Sequence, residues 1–144
     1  MNISGSYVFN APVEKVWDLL LDPNILASCM PGCEGLEPIG EDEYRAVLNV
    51  GIGPIRGRYS AKISLGDKVP HQSFRLVIES SGSSGFANGE AAISLVAEED
   101  KTRVQVEGES QVGGTVARVG QRMMGSAAKM MMGRFFSCLQ KAAE

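Results

Sequence analysis

The C-terminal stretch Gly114–Glu144 is the feature that most constrains the fold of this chain. It contains no proline, and side chains recur at steps of three and four residues, at Val116, Val119, Met123, Ala127, Met130, Arg134, Cys138 and Ala142. This spacing predicts one amphipathic α-helix from Val116 to about Lys141, roughly 40 Å long, with Thr115 as its N-cap. A helix of this length cannot bury its apolar stripe against itself. The rest of the chain must therefore supply a surface that receives it.

The predicted helix has an apolar side and a basic side. At about 100° per residue, the apolar side holds Val116, Gly120, Met123, Ala127, Met130, Met131 and Cys138. The opposite side holds Arg118, Arg122 and Lys129, which form either a solvated face or a docking site for an acidic partner. Near the C-terminal end Met132, Phe136 and Leu139 widen the apolar sector. This patch could rest on the two short helices that the sequence predicts near the N-terminus, or meet a partner or a membrane surface.

Upstream of this helix, the hydrophobic period is mostly two. Ile3–Phe9 predicts a first strand, Val13–Leu21 a short helix after Pro12, and Asp22-Pro23 the start of a second short helix that ends near Cys29. Six further alternating segments follow, joined by short polar turns. The predicted fold is α+β: about seven strands in a curved antiparallel sheet, wrapped around the long C-terminal helix.

Length and charge narrow the possible classes. With 144 residues the chain is predicted to be a single domain over 1–144, and a net charge of −3 with a pI near 5.3 argues against a nucleic-acid partner. The sequence shows no signal peptide and no apolar run of membrane-spanning length. Three cysteines do not make a disulfide framework, so we expect a cytoplasmic protein, or one at the inner face of the membrane.

The inner face of the predicted sheet is unusually small. Seven alternating positions carry glycine, alanine or serine, namely Gly57, Ala61, Ala87, Gly89, Ala91, Gly108 and Ser110. A closed core normally alternates large with small side chains, so these positions predict a cavity beneath the helix. Flexible methionines would lie opposite, at Met123, Met124, Met130 and Met131. The alternative is that the helix lies closer to the sheet and the methionines fill the volume.

Several motifs, taken in order, resemble one protein family. They are Pro12-Val13-Glu14-Lys15-Val16-Trp17, Asp22-Pro23, Cys29-Met30-Pro31-Gly32-Cys33, Val50-Gly51-Ile52-Gly53-Pro54-Ile55-Arg56-Gly57, and Val119-Gly120-Gln121-Arg122-Met123 with Phe135-Phe136. The order of elements resembles the START/polyketide-cyclase (SRPBCC) helix-grip superfamily. The motifs resemble more narrowly the CoxG family, the G subunits of molybdenum-type carbon monoxide dehydrogenase, over essentially the whole chain.

The resemblance implies a function as well as a fold. It implies an apolar cavity and an accessory role beside a molybdenum hydroxylase, which the protein would recruit or couple to the membrane, with a quinone as the bound molecule. Longer members of the family carry a linker and an apolar tail after the domain, whereas this sequence stops at Glu144. We therefore expect membrane contact to be peripheral at most.

Few residues of the chain favour catalysis or metal binding. Cys29 and Cys33 have only Cys138 and His71 as possible further zinc ligands, so we expect the first two cysteines to pack as small apolar groups. The serine- and glycine-rich run 80–85 lacks the lysine and the following helix of a phosphate loop. The inner strand positions offer Tyr44, Tyr59 and Ser110 but no charged residue. Tyr59 is either a ligand donor or a core tyrosine.

The sequence therefore predicts a non-catalytic binding module. The predicted ligand-binding residues are Tyr59, Gly57, Phe74, Gly89, Gly108, Met123, Ala127, Met130 and Met131, and the predicted partner-binding residues are Arg118, Arg122 and Lys129. The expected ligand is a quinone or another lipid-like molecule, and the expected partner is a molybdenum hydroxylase. Two other functions stay open: a polyketide-cyclase-like enzyme, which would need a buried charged group, and a protein-interaction subunit with a filled core.

Overall fold

The computed structural model describes residues 2–52, 55–82, 85–114, 118 and 120–144. In chain order these residues form β1 (Asn2–Phe9), α1 (Val13–Leu20), α2 (Pro23–Cys29), β2 (Cys33–Gly40), β3 (Glu43–Ile52), β4 (Ile55–Val69), β5 (Ser73–Gly82), β6 (Gly85–Glu98), β7 (Lys101–Gly114) and α3 (Gln121–Ala142). The predicted order of strand, two short helices, six strands and a long helix is confirmed.

The seven strands form one antiparallel sheet in the order β1-β7-β6-β5-β4-β3-β2. Strands β2 to β7 are successive hairpins, and β1 pairs with β7, so the two short helices carry the chain from one edge of the sheet to the other. Side chains alternate between the two faces as predicted. On β4, Tyr59, Ala61 and Ile63 are buried whereas Arg58 and Lys62 are exposed. We call the face that the helices cover the inner face.

The two short helices begin as the sequence indicated. Helix α1 follows Pro12, and α2 has Asp22 as its N-cap with Pro23 in the first turn. The Asp22 carboxylate accepts a hydrogen bond from the Asn24 backbone N–H at 2.9 Å, which pairs one of the donors that a helix start leaves free.

Helix α3 begins later than the sequence predicted. Gly120 precedes it with φ +96° and ψ 152°, a positive-φ conformation that suits glycine and interrupts a helix, so the prediction of one unbroken helix from Val116 to about Lys141 is wrong. The predicted N-cap Thr115, together with Val116 and Val119, lies outside the described residues. The helix runs without interruption for 22 residues, including Gly125 and Gly133, and is therefore about 33 Å long.

The main core lies under the C-terminal half of α3. Phe136 and Leu139 are 3% and 0% exposed and pack with α1, α2 and the large inner-face residues of the sheet. The Phe136 ring stacks on Tyr7 of β1 with the ring centres 4.2 Å apart. The widened apolar patch of α3 is thus covered by the domain itself, which is the first of the alternatives that the sequence left open.

A disulfide joins α2 to α3. Cys29 is bonded to Cys138 with their Cα atoms 5.4 Å apart, and Cys33 is a free, half-buried thiol. The prediction that Cys29 packs as a free apolar group beside Cys33 is wrong. The pairing was hidden because the two partners are 109 residues apart in sequence and meet only when α2 packs on α3.

Candidate functional site

A second, smaller apolar cluster lies under the N-terminal half of α3. Its buried members are Val50, Tyr59, Met124 and Ala127, and the partly buried Leu48, Val112 and Met131 pack against them. The cluster joins α3 to the inner face of β3, β4 and β7, away from the aromatic core. We call the space between these strands and the first three turns of α3 the cleft.

Side-chain size falls along the inner face toward the cleft. On the paired strands β6 and β7, Ile93 lies opposite Val106 and both are buried, whereas Gly89 lies opposite Ser110 and both are partly exposed. Because the two strands run in opposite directions, size decreases toward the N-terminus on β6 and toward the C-terminus on β7. Both sequences therefore place their small residues at the same end of the domain.

Two glycines of the inner face border open space. A Cβ atom built on Gly57 would have no neighbouring atom within 4 Å, and one built on Gly89 would meet only the Glu109 carbonyl oxygen at 3.6 Å. Gly108 differs, because its Cβ would lie 2.1 Å from the Glu90 carbonyl oxygen. Close strand packing thus accounts for glycine at 108 and a positive φ of +119° for glycine at 57, and the space above Gly57 and Gly89 is open.

Tyr59 places an unpaired hydroxyl in this cluster. Its side chain is 5% exposed, and its Oη atom has no hydrogen-bond partner among the described residues. Tyr59 lies opposite Leu48 on β3 and opposite Gly82 on β5, so it occupies the middle of the sheet. A buried hydroxyl without a partner loses its hydrogen bonds to water and gains none in return, which is unusual in a folded protein.

The structure corrects which face of α3 lies toward the sheet. Ala127 is buried and Met131 is half-buried in the second cluster, which confirms their predicted position. Met123 and Met130 are 53% and 49% exposed, so their predicted packing against the sheet is wrong. Their place is taken by Met124, which was not among the predicted ligand-binding residues.

The cause of this rotation lies in the other half of the helix. Phe136 and Leu139 are the large side chains of α3 that the core buries most completely, and they fix the rotation of the whole rigid helix. The sequence signal for this rotation is the presence of Phe136 and Leu139, the large apolar residues whose direction the methionine spacing did not take into account.

Phe74 also lies away from the cleft. It is 4% exposed and belongs to the main core, where its ring meets Trp17 edge to face with the centres 5.8 Å apart. Phe74 therefore does not line the cleft with the other predicted ligand-binding residues, because Trp17 of α1 covers this part of β5.

Two grooves are lined by described residues, and both lie outside the cleft. One, of about 390 Å³, lies on the outer face of the sheet beside Arg45, Lys62 and Phe86. The other, of about 540 Å³, lies along the exposed side of α3 beside Met130, Gly133 and Arg134. An enclosed cavity between sheet and helix stays a prediction.

The electrostatics of the described residues are simple. Among the described residues, Thr102 is the polar residue that is buried, and its hydroxyl donates a hydrogen bond to the Ala11 carbonyl at 2.9 Å. No charged side chain is buried in this part of the chain, and no group of three or more His, Cys, Asp and Glu is placed to hold a metal ion. Burial raises the pKa of Tyr7. His71, predicted to be solvated, is exposed beside the Trp17 ring.

The predicted partner-binding residues are on the surface. Arg118, Arg122 and Lys129 are all exposed, and the ion pairs found among the described residues do not involve them. Their role in binding a partner stays a prediction. None of the helices built from described residues has the length and apolar character that a membrane crossing requires.

A seven-stranded antiparallel sheet wrapped around a long C-terminal helix defines the START-like helix-grip fold. A START superfamily protein from Mycobacterium smegmatis has this architecture, with a TM-score of 0.77 and 13% identity over 99% of this chain and 96% of that one. The Zhui aromatase/cyclase from Streptomyces sp. R1128 aligns with a TM-score of 0.72 and 13% identity over 99% and 93% of the two chains. At this identity the likeness shows the fold alone.

The chain belongs to the CoxG family, the G subunits of carbon monoxide dehydrogenase, whose profile matches residues 5–144. A conserved protein from Geobacillus kaustophilus is 40% identical, with a TM-score of 0.96 over 99% of this chain and 95% of that one. None of the curated proteins matches the chain. The family resemblance noted in the sequence is thereby confirmed, and the family name is that of an accessory subunit.

Proposed function

We propose that this protein is a non-catalytic accessory module that holds an uncharged apolar molecule bearing a carbonyl, such as a quinone, in the cleft under α3. In this role it assists a molybdenum-type carbon monoxide dehydrogenase or a related hydroxylase. The observation that carries the ligand part is the buried, unpaired Tyr59 hydroxyl at the end of the domain where the side chains are smallest.

The Tyr59 hydroxyl favours a ligand with an acceptor oxygen. Leaving a buried hydroxyl unpaired costs about 1–3 kcal/mol, and a carbonyl placed within about 3 Å of Oη would remove this cost. The rest of the second cluster is aliphatic or thioether, so the remainder of the ligand must be apolar. A quinone ring with an isoprenoid tail has both properties, and the flexible Met124 and Met131 can adjust to its shape.

The same surroundings disfavour a charged ligand. Burying an unpaired charge costs several kcal/mol, and the described residues place no buried charged side chain near Tyr59 to offset that cost. A fatty acid or a phospholipid would therefore have to keep its head group in water. A neutral quinone can enter the cleft completely.

Filling the cleft at Gly89 tests the ligand part. A leucine at this position has room at its Cβ and no unfavourable backbone conformation, so the Gly89→Leu variant should fold and occupy the ligand space. The matched control is Gly66→Leu on β4, where a Cβ would meet no atom within 4 Å and the side chain would project from the outer face. Short-tail ubiquinone and menaquinone analogues are titrated into each protein by isothermal calorimetry and thermal shift.

We expect saturable quinone binding by the wild type and Gly66→Leu, and an affinity at least about tenfold lower for Gly89→Leu. Absence of saturable binding by the wild type, or equal binding by Gly89→Leu, would refute the quinone proposal. The partner part is tested separately. A tagged copy expressed in its own host should co-purify with a molybdenum hydroxylase, identified by its molybdenum content and by mass spectrometry.

A further inference from the structure

The exposed side of α3 carries a row of side chains at seven-residue intervals. Met123, Met130 and Ser137 lie on this row, and the small residues Ser126 and Gly133 lie between them. The two methionines are about half exposed, at positions where the solvent-exposed face of a helix normally carries polar residues. Positions seven apart on a helix face nearly the same direction, so these residues form one strip along about four turns. We call it the methionine strip.

Basic residues border the methionine strip on both sides. Arg122 and Lys129 follow one edge and Arg134 and Lys141 the other, each pair seven residues apart and therefore about 10 Å apart along the axis. Helix α3 carries these four of the chain's fourteen basic residues and none of its seventeen acidic ones. Among the described residues, none of the four side chains takes part in an ion pair.

A shallow groove runs along the C-terminal part of the strip. The groove of about 540 Å³ on this side of α3 is lined by Met130, Gly133, Arg134, Ser137, Cys138 and Lys141. Its floor exists because Gly133 has no side chain, and a Cβ built there would meet no atom within 4 Å. A partner's side chain can enter such a groove, as a knob enters a hole between packed helices.

We propose that the methionine strip is the docking surface for an acidic α-helix of a partner protein. Small residues at Ser126 and Gly133 permit close approach, methionines adapt to the facing side chains, and the bordering cations pair with carboxylates at the flanking positions of the partner helix. This deepens the partner part of the proposed function and rests on it for the identity of the partner, but it does not depend on the cleft.

Charge and shape exclude two other occupants. A second copy of α3 would bring four cations against four cations, and like charges at the flanks of paired helices repel. A membrane surface is bound by helices that present large apolar side chains outward. On α3 the largest apolar side chains, Phe136 and Leu139, are turned into the core, and the outward apolar side chains are the half-exposed Met123 and Met130.

The test uses three probes of stated composition. One is a fluorescein-labelled peptide of three helical heptads with a leucine and alanine seam and glutamate at the flanking positions. The second has lysine at the flanking positions, and the third is a vesicle of phosphatidylglycerol. We expect the intact protein to bind the glutamate peptide saturably, more weakly as salt rises, and to bind the lysine peptide and the vesicles at least about tenfold more weakly. If the vesicles bind as tightly as the glutamate peptide, or more tightly, the strip binds a membrane surface and the acidic-helix proposal is overturned.

Two variants locate the interaction on the strip. Reversing charge in R122E/K129E should lower the affinity for the glutamate peptide by about tenfold or more. The control is the double variant Lys15→Glu with Lys101→Glu, which makes the same change in net charge on α1 and β7. It should change the affinity by less than about twofold. Gly133→Leu fills the groove and should also lower the affinity without loss of thermal stability. Equal losses in the two charge variants, or unchanged binding by Gly133→Leu, would overturn the proposal.

The outcome is separable from that of the quinone experiment. Gly89→Leu should bind the glutamate peptide as the wild type does, and R122E/K129E should bind quinone as the wild type does. Peptide binding without quinone binding would support the docking surface and refute the ligand part of the proposed function. Quinone binding without peptide binding would support the ligand part and refute the docking surface.

Discussion

Removal of the Tyr59 hydroxyl should stabilise the ligand-free protein, which is the reverse of what most core substitutions do. The side chain is 5% exposed and its Oη has no partner among the described residues, so Tyr59→Phe removes an uncompensated desolvation cost of about 1–3 kcal/mol and leaves the ring in place. After allowance for the small cavity that the lost oxygen leaves, we expect a gain of about 1 kcal/mol in the free energy of unfolding. Urea denaturation followed by circular dichroism measures it, with the slope m unchanged.

The same substitution should weaken ligand binding. A hydrogen bond from Oη to a quinone carbonyl is worth about 0.5–1.5 kcal/mol, so the dissociation constant should rise about two- to tenfold in Tyr59→Phe. Tyr44→Phe is the control, because Tyr44 packs against the main core and is only half-buried. If Tyr59→Phe destabilises the protein by about 1 kcal/mol or more, its hydroxyl has a partner in the folded state, and the reasoning that assigns it to a ligand is refuted.

Three further outcomes are expected. In urea denaturation, Leu139→Ala should lower the free energy of unfolding by about 2–5 kcal/mol, and Met124→Ala by less than half of that because the cleft beside it is not filled. Met123→Ala, at an exposed position, should lower it by under about 0.5 kcal/mol. Equal losses at 139 and 124 would indicate a filled core throughout. Cys138→Ser should lower stability by about 2–4 kcal/mol under oxidising conditions and by much less in dithiothreitol, where the wild type has lost the same cross-link over 109 residues; a loss independent of redox conditions would contradict this. Burial raises the pKa of Tyr7, so the unfolded chain releases this proton at a lower pH than the folded protein, and stability should fall as pH rises above about 10. Denaturation measured as a function of pH should show a smaller fall in Tyr7→Phe than in the wild type. An identical pH profile in the two proteins would contradict the assignment to Tyr7.

The sheet could be predicted from the sequence because its signals are local. Alternation along β4 gives the buried Tyr59, Ala61 and Ile63 without knowledge of any neighbour, and short polar turns make each next strand antiparallel. The start of α2 was equally local, since Asp22 and Pro23 are adjacent and act on the same turn.

The site could be predicted only in part, because rotation and cross-linking of α3 are set by distant contacts. Helical spacing alone does not distinguish a stripe through Met123 and Met130 from one through Met124 and Met131, since the two differ by one residue, or about 100°. The choice is made in the core, where Phe136 stacks on Tyr7. The same packing brings Cys138 to Cys29, which no local pattern indicates.

The cleft and the N-terminal part of the methionine strip, from Met123 to Met130, share turns of α3, so we expect their occupancies to be thermodynamically linked. Met124 and Met131 face the cleft, whereas their neighbours Met123 and Met130 face the strip, so a ligand that moves this half of the helix also moves the docking surface. The C-terminal half, which carries most of the groove, is held by the aromatic core and the disulfide, so we expect any such movement in the N-terminal turns, at Met123 and Met130.

Linkage requires that the effect be reciprocal: if quinone changes the affinity for the glutamate peptide by some factor, the peptide must change the quinone affinity by the same factor. We expect a factor of about five or more, measured by titrating each ligand with and without saturation by the other. Two independent affinities, each unchanged by the other ligand, would show that α3 is rigid over its whole length and that the two sites act separately.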